Sequence, residues 1–346
     1  MSATELPPLS TPPATAEPRG RFAFLTTLAR SRWTGLVAFL VAAALPFVTA
    51  TPYALSLMTT AAIFVMLCSG LNIVVGYCGL LDLGYAAFFA VGAYVSGILA
   101  TRTGLSLVET LPFVIAAAVV AGLIIGLPTL RLRSDYLAIV TLGFGEIIRI
   151  TANNLDITGG PSGIYGIPPV SLFGTELSHP AAFYYFCLVV VSLAVLGAAR
   201  LGRGRLGRAW LCIREDEDAA EAMGINTYRT KLAAYVMGAV WGGVAGMLFG
   251  ANLSAVSPQS FTFLQSALVL MAVVLGGMGS MPGVVLGALF ISLAPELLRD
   301  AAEIRFLLFG ILLIVVMIFR PQGLWPASSA WRRSDESEVA GEPARS

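Results

Sequence analysis

Apolar runs of close to membrane-spanning length recur along this chain. Stretches with little or no charge fall at about 33–50, 54–75, 83–100, 110–130, 136–152, 180–199, 232–253, 264–278, 282–298 and 304–319. A helix needs roughly 20 apolar residues to cross a bilayer core. In lipid every backbone N–H and C=O must be satisfied within the protein, which helices do locally. The pattern predicts an all-α polytopic membrane protein with about ten transmembrane helices. Two runs are weak. The fifth is interrupted by Glu146, and the tenth has fourteen clean residues between Arg305 and Arg320. Short runs also serve as buried or re-entrant pieces, so eight spans is the alternative.

Arginine and lysine placement sets the orientation of such a bundle. With the N-terminus inside and ten spans threaded, seventeen of the 21 Arg and Lys residues fall on the inner side. The other four (Arg102, Arg149, Arg299, Arg305) fall outside or at span ends. Both termini are then cytoplasmic. The loop at 201–229 lies inside, and the loop at 153–179, which has no Arg or Lys, lies outside. Residues 1–32 are rich in Pro and Thr and end basic, and 326–346 are polar. Both read as disordered cytoplasmic segments flanking a permease domain at 33–325.

Several function classes are excluded. The net charge of +1 gives no footprint for nucleic acid. A single histidine, His179, rules out a histidine-based metal site, and Cys68, Cys78, Cys187 and Cys212 have no metal-like spacing. The single lysine, Lys231, follows Thr230 rather than Gly, so no phosphate-cradling Gly-Lys pair exists. The chain is therefore not expected to hydrolyse ATP through a P-loop, and no cofactor is expected on it.

The chain is 57% hydrophobic and 12% charged, yet residues 201–225, LGRGRLGRAWLCIREDEDAAEAMGI, hold four arginines and five acids. The arginines suit anionic headgroups beneath a span. The acids Glu215, Asp216, Glu217 and Asp218 suit a helix N-terminus, where negative charge meets the positive end of the dipole. Ala219, Ala220, Glu221 and Ala222 favour helix, and Gly224 suits its stop. The result is a helix of about two turns, too short to stand alone in water. It is either a docking knob for a cytosolic partner or an amphipathic connector on the membrane surface.

Glycines also repeat: GYCGLLDLG (76–84) and GGMGSMPG (276–283) each interrupt an apolar run and begin with glycines three apart. The pair suggests an internal repeat or simply tight turns and close helix packing.

Four stretches closely resemble one family. GLNIVVGYCGLLDLGYAAFFAVGAYVSGILA (70–100), RLRSDYLAIVTLGFGEIIRITANNLDITGG (131–160), GRAWLCIREDEDAAEAMGI (207–225) and FRPQGLWP (319–326) are similar to branched-chain amino-acid ABC importer permeases of the LivM type. The likeness runs in order from about residue 50 to 326. It implies a bacterial inner-membrane permease with a helical core like that of vitamin-B12-type importers. It also implies a second permease of the LivH type, two cytosolic ABC ATPases and a periplasmic substrate-binding protein. The ATPase-docking loop of ABC importers carries Glu-Ala-Ala, three residues, Gly. Here Asp218-Ala219-Ala220 and Gly224 keep the spacing with Asp for Glu, and the later Leu-Pro is missing. Arg214, Glu215, Asp216, Asp218, Ala219, Ala220, Glu221 and Gly224 are the docking candidates, within a coupling loop at 200–231.

Charges and amides inside the spans are costly and usually retained for function. Glu146 and Arg149, three apart on one helix face, form an internal ion pair, or else Arg149 and the neighbouring Asn153 and Asn154 meet a substrate carboxylate. Asp82 caps a helix or takes part in gating. Asn72 makes an interhelical hydrogen bond or lines the translocation path. His179 reads as a solvated loop residue. In the outer loop, Ile164, Tyr165 and Ile167 could tuck against the bundle, forming a lid or a landing surface for a binding protein. These readings lead to an amino-acid importer permease. The alternatives are an ion-coupled secondary transporter or a related permease for urea or amides.

Overall fold

The computed structural model describes residues 39–44, 46, 51–130, 134–172, 175–176 and 179–297, with residues 307, 310, 311, 314 and 323–325. The chain divides into two compact units, Met1–Ala42 and Ala43–Ser346. Residues 39–42 of the first are helical. The first and tenth expected spans lie largely outside the described residues, as do both terminal segments.

The second unit is helical. Helix α1 (Pro52–Leu71) starts with Pro at its first position, where a missing N–H costs nothing. It runs straight into a six-residue π-helix, Asn72–Tyr77. Helix α2 (Ala86–Thr103) stops at Gly104, which is left-handed at φ 69. Helix α3 (Leu107–Thr129) opens with Ser106 N–H donating to Glu109 Oε2 at 2.8 Å. Then come α4 (Ser134–Asn154), α5 (Pro180–Arg203), α6 (Arg205–Glu215), α7 (Glu217–Ala222), α8 (Thr227–Leu253), α9 (Phe263–Gly276) and α10 (Met281–Leu297). Among the described residues five helices are long and apolar enough to cross a membrane: Pro52–Tyr77, α2, α3, α5 and α8. Helix α4 has the length but carries the Glu146–Arg149 pair.

Two departures from the all-helical expectation lie on the side opposite α6 and α7. Strand β1 (Ile164–Tyr165) pairs antiparallel with β4 (Ala255–Val256), and β2 (Ser171–Leu172) pairs with β3 (Thr175–Glu176). Ile167 is buried and Ile164 packs against the core, so the outer loop does fold onto the bundle. Tyr165 does not follow: it is 66% exposed, because residues in successive strand positions face opposite sides.

Helix α8 packs on α1, α2 and α3. Its glycines explain how. A Cβ on Gly92 of α2 would fall 1.8 Å from Gly243 O, and one on Gly246 would fall 1.9 Å from Phe89 O. The two backbones touch, as small residues at helix interfaces in lipid allow. Tyr85, Phe88 and Tyr235 fill the space below, with Phe88 and Tyr235 ring centroids 5.4 Å apart, edge to face.

The eighth apolar run is not a continuous span. Helix α9 has 14 residues, about 21 Å by helical rise, short of a bilayer core of about 30 Å. The irregular segment 254–262 precedes α9. Val256 packs beside Gly97 near the top of α2, Phe261 stacks on Phe89, and Ser266 Oγ accepts the Ala86 N–H at 2.9 Å. From Gly97 to Ala86 is about 16 Å along α2. The chain therefore descends beside α2 before α9 begins. The first turns of α2 and α9 lie together, joined by that Ala86–Ser266 bond.

Candidate functional site

The arginine-rich end of the bundle gathers most of the candidate residues. Helix α6 follows α5 after Gly204 and buries Trp210 and Ile213, three apart on one face. Trp210 Nε1 donates to Thr230 O at 2.8 Å, tying α6 to the start of α8. Glu215 is the last residue of α6, a correction to its expected place at the start of the acidic helix. Asp216 makes the corner. It is the N-cap of α7, and its Oδ1 accepts the Ala219 N–H at 2.9 Å.

Helix α7 ends as its sequence implied. Gly224 is left-handed at φ 85. Its N–H donates to Glu221 O at 2.9 Å, and Ile225 N–H donates to Ala220 O at 3.1 Å. This double closure satisfies carbonyls that a helix end would otherwise expose. Ala220 is buried, whereas Asp218, Ala219, Glu221, Ala222 and Met223 face outward, Met223 at 83% exposure. Lys231 of α8, 7% exposed, holds the base of the knob, its Nζ 2.5 Å from Glu217 Oε1.

Next to the knob the two glycine segments meet. Asn72, fully buried in the π-helix, accepts the Gly279 N–H on Oδ1 at 2.8 Å. Its Nδ2 lies 3.8 Å from Met281 Sδ. Asn72 thus joins α1 to the α9–α10 turn, as an interhelical hydrogen bond would. A Cβ on Gly76 would fall 2.6 Å from Gly279 N. Arg214 of α6 donates through Nη1 to Gly76 O. The FRPQGLWP stretch reaches the same place: Leu324 and Trp325 N–H groups donate to Leu275 O and Gly276 O at 2.8 and 3.0 Å.

The remaining candidates lie elsewhere. Asp82 does not cap α2, whose N-cap is Tyr85. It is fully buried, and Oδ1 accepts the Gly84 N–H at 2.8 Å within the turn that precedes the helix. Glu146 and Arg149 do pair, Arg149 Nε donating to Glu146 Oε1 at 2.9 Å. Their side chains remain 41% and 26% exposed. Glu146 borders a small recess with Ala86, Thr262, Phe263 and Ser266, where α2 and α9 begin. Asn153 and Asn154 are the last residues of α4 rather than beyond it, and Asn154 Nδ2 bonds back to Ile150 O. His179 is the exposed N-cap of α5.

Sequence reasoning missed Trp210, the Glu217–Lys231 pair and Ser266. Trp210 and Ile213 left a readable trace in their spacing of three. The other two join residues too far apart in sequence to leave one.

A family model described as "Branched-chain amino acid transport system / permease component" matches residues 53–319. The high-affinity branched-chain amino acid transport system permease protein LivM of Escherichia coli (strain K12) is 43% identical over 334 residues, covering 89% of this chain and 78% of the relative. The probable LivM of Methanocaldococcus jannaschii is 26% identical over 278 residues, 72% of this chain and 80% of the relative. The LivH permease of Escherichia coli (strain K12) is 26% identical over 292 residues, 77% of this chain and 92% of the relative. No solved structure gives a significant match. The chain belongs to the family of permease components of branched-chain amino acid transport systems.

Proposed function

We propose that this chain is a membrane permease subunit of an ATP-binding-cassette importer for branched-chain or other hydrophobic amino acids. It works by alternating access in the bacterial inner membrane, with both termini cytoplasmic and a bundle like that of vitamin-B12-type importers. A related permease of the LivH type lies beside it in the lipid. Two cytosolic ATPases consume the ATP, so this subunit holds no cofactor and makes or breaks no covalent bond. A periplasmic protein delivers the amino acid to the face formed by the outer loop. The likeness to LivM and LivH proteins named for branched-chain amino acid transport supports the substrate class and the paired permease.

The observation that carries the reading is the α6–α7 knob. A six-residue helix has no stability of its own in water. Here Asp216 and Gly224 cap both ends, and Trp210, Ala220 and the Lys231–Glu217 pair fix its base. What remains outside is a rigid tip of Ala219, Ala222 and Met223, which suits a groove on an ATPase. The surplus of arginine at this end supports its cytoplasmic placement.

The solute path runs past α4. Charges on a helix in lipid face protein or water rather than hydrocarbon. The partly exposed Glu146–Arg149 pair presents a carboxylate beside a guanidinium, the complement of an amino-acid zwitterion. The adjoining recess lies where α2 and α9 begin, and the positive ends of helices favour carboxylate.

The test is reconstitution in liposomes of both permeases, the ATPases and the binding protein, with labelled leucine. Uptake is expected to need ATP inside and all four kinds of component, and to survive collapse of ion gradients. Concentrative uptake by this chain alone, driven by a proton or sodium gradient, would overturn the proposal.

A further inference from the structure

We propose that Arg214 is a positioning residue that links movement of the docking knob to the seam between α1 and the α9–α10 turn. The inference rests on the docking role given to α7 above.

Four observations converge on this side chain. First, Arg214 sits in the last turn of α6, two residues before the Asp216 corner, so it moves with the knob. Second, its Nη1 donates to Gly76 O. Gly76 lies in the last turn of the π-helix, where carbonyls lack partners within the helix and a cation is favoured. Third, the stem of Arg214 covers Gly79, where a Cβ would fall 2.9 Å from Arg214 Cγ. Fourth, Nη1 lies 3.2 Å from where Gly279 would carry a Cβ, and the Gly279 N–H is itself held by Asn72. One guanidinium thus touches the π-helical end of α1 and the turn between α9 and α10.

A lever needs a joint that resists sliding. Apolar contacts between the knob and the bundle are non-directional. A guanidinium bonded to a fixed carbonyl has geometry, because its donors sit in a rigid planar fork. Within α7, Glu217 pairs with Lys231 and makes a second tether, to α8. The knob is therefore held at two charged points to different helices, and the Arg214 point meets the seam where the two glycine segments close on each other. Deep π-turns of this kind commonly mark functional positions in helices.

The experiment uses the complete four-component importer in liposomes and compares wild type with Arg214→Gln and Arg214→Lys. Three quantities are read: ATPase capture by the permease pair, ATP hydrolysis stimulated by loaded binding protein, and leucine uptake. Because Arg214 is also one of the docking candidates, hydrolysis and uptake are normalised to the ATPase captured by each variant, so that any loss of capture by Arg214→Gln drops out of the ratio. Leucine moved per ATP should drop by roughly tenfold, equivalent to about 1.4 kcal/mol of lost coupling. Arg214→Lys, which keeps the charge without the fork, should fall between the two. A merely structural role would lower hydrolysis and uptake together and leave their ratio unchanged, and that result overturns the proposal. Should Arg214→Gln fail to assemble, Arg214→Lys decides: a wild-type ratio overturns the proposal and a reduced ratio supports it. The docking reading is judged separately by Met223→Asp. Undiminished ATPase capture by that variant refutes docking at α7 and leaves the ratio measurement at Arg214 to stand or fall alone.

Discussion

Lys231 is the chain's single lysine, and it is 7% exposed. An ammonium in that position needs its Glu217 partner, because breaking a buried pair strands the other charge. Glu217 is half exposed, so water offsets part of the loss. Glu217→Gln should therefore destabilise the subunit by roughly 1–3 kcal/mol, less than for a fully buried pair. The purified subunit in detergent should show this as a lower midpoint of thermal unfolding. Glu217→Gln combined with Lys231→Met should regain most of the loss; a double variant no more stable than the single one would refute the account. From sequence, Lys231 spoke only to topology and to the absence of a phosphate loop. Its pairing was illegible because the partner lies fourteen positions earlier, in a different helix beyond the turn at Gly224. The Glu146–Arg149 pair was legible for the opposite reason: a spacing of three on one helix needs no tertiary knowledge.

At the scale of elements, helix ends were the readable part. The glycine stop of α7 stands at the expected residue, while its acidic start begins after Glu215, with Asp216 as the N-cap. A Cβ at Gly224 would meet nothing within 4 Å, so substitution there acts through the backbone alone. Forcing a side chain into the left-handed region costs roughly 1–2 kcal/mol, more when β-branched. Gly224→Val should leave membrane insertion intact and weaken ATPase capture by about tenfold, measured by pull-down from detergent extracts. Unchanged capture would count against a knob whose shape matters. The separate helix α6 was not anticipated, since GRAWLCIRE reads as a continuation of the charged loop until Trp210 and Ile213 are seen to be buried. Nor was the π-turn, whose Asn72 bonds Gly279 across a sequence separation that local pattern cannot show. Helix α9 covers all but the last two residues of its expected run, 264–278, and by itself is still shorter than a bilayer core.

For the molecule as a whole, orientation can be read from its thiols. Cys68, Cys78 and Cys187 are buried, whereas Cys212 on α6 is exposed. Burial pushes the Cys78 thiol up to about 12, against the smaller opposing pull of Lys231, so it stays protonated and slow to react at neutral pH. A membrane-impermeant maleimide should label Cys212 in inside-out vesicles and spare it in right-side-out ones. Labelling with the reverse sidedness would invert the topology argued from arginine placement. Each of the eight apolar runs across 54–298 holds an α-helix, with α6 and α7 added in the charged loop, yet hydropathy does not say which helices cross unaided, since it is blind to whether a neighbour or lipid supplies the apolar surroundings. The backbone contact between α2 and α8 has a mechanical consequence. With no side chain between Gly92 and Gly243, nothing there can change rotamer to absorb a push. Flexing during a transport cycle is therefore expected at joints that keep side chains between them rather than at this contact.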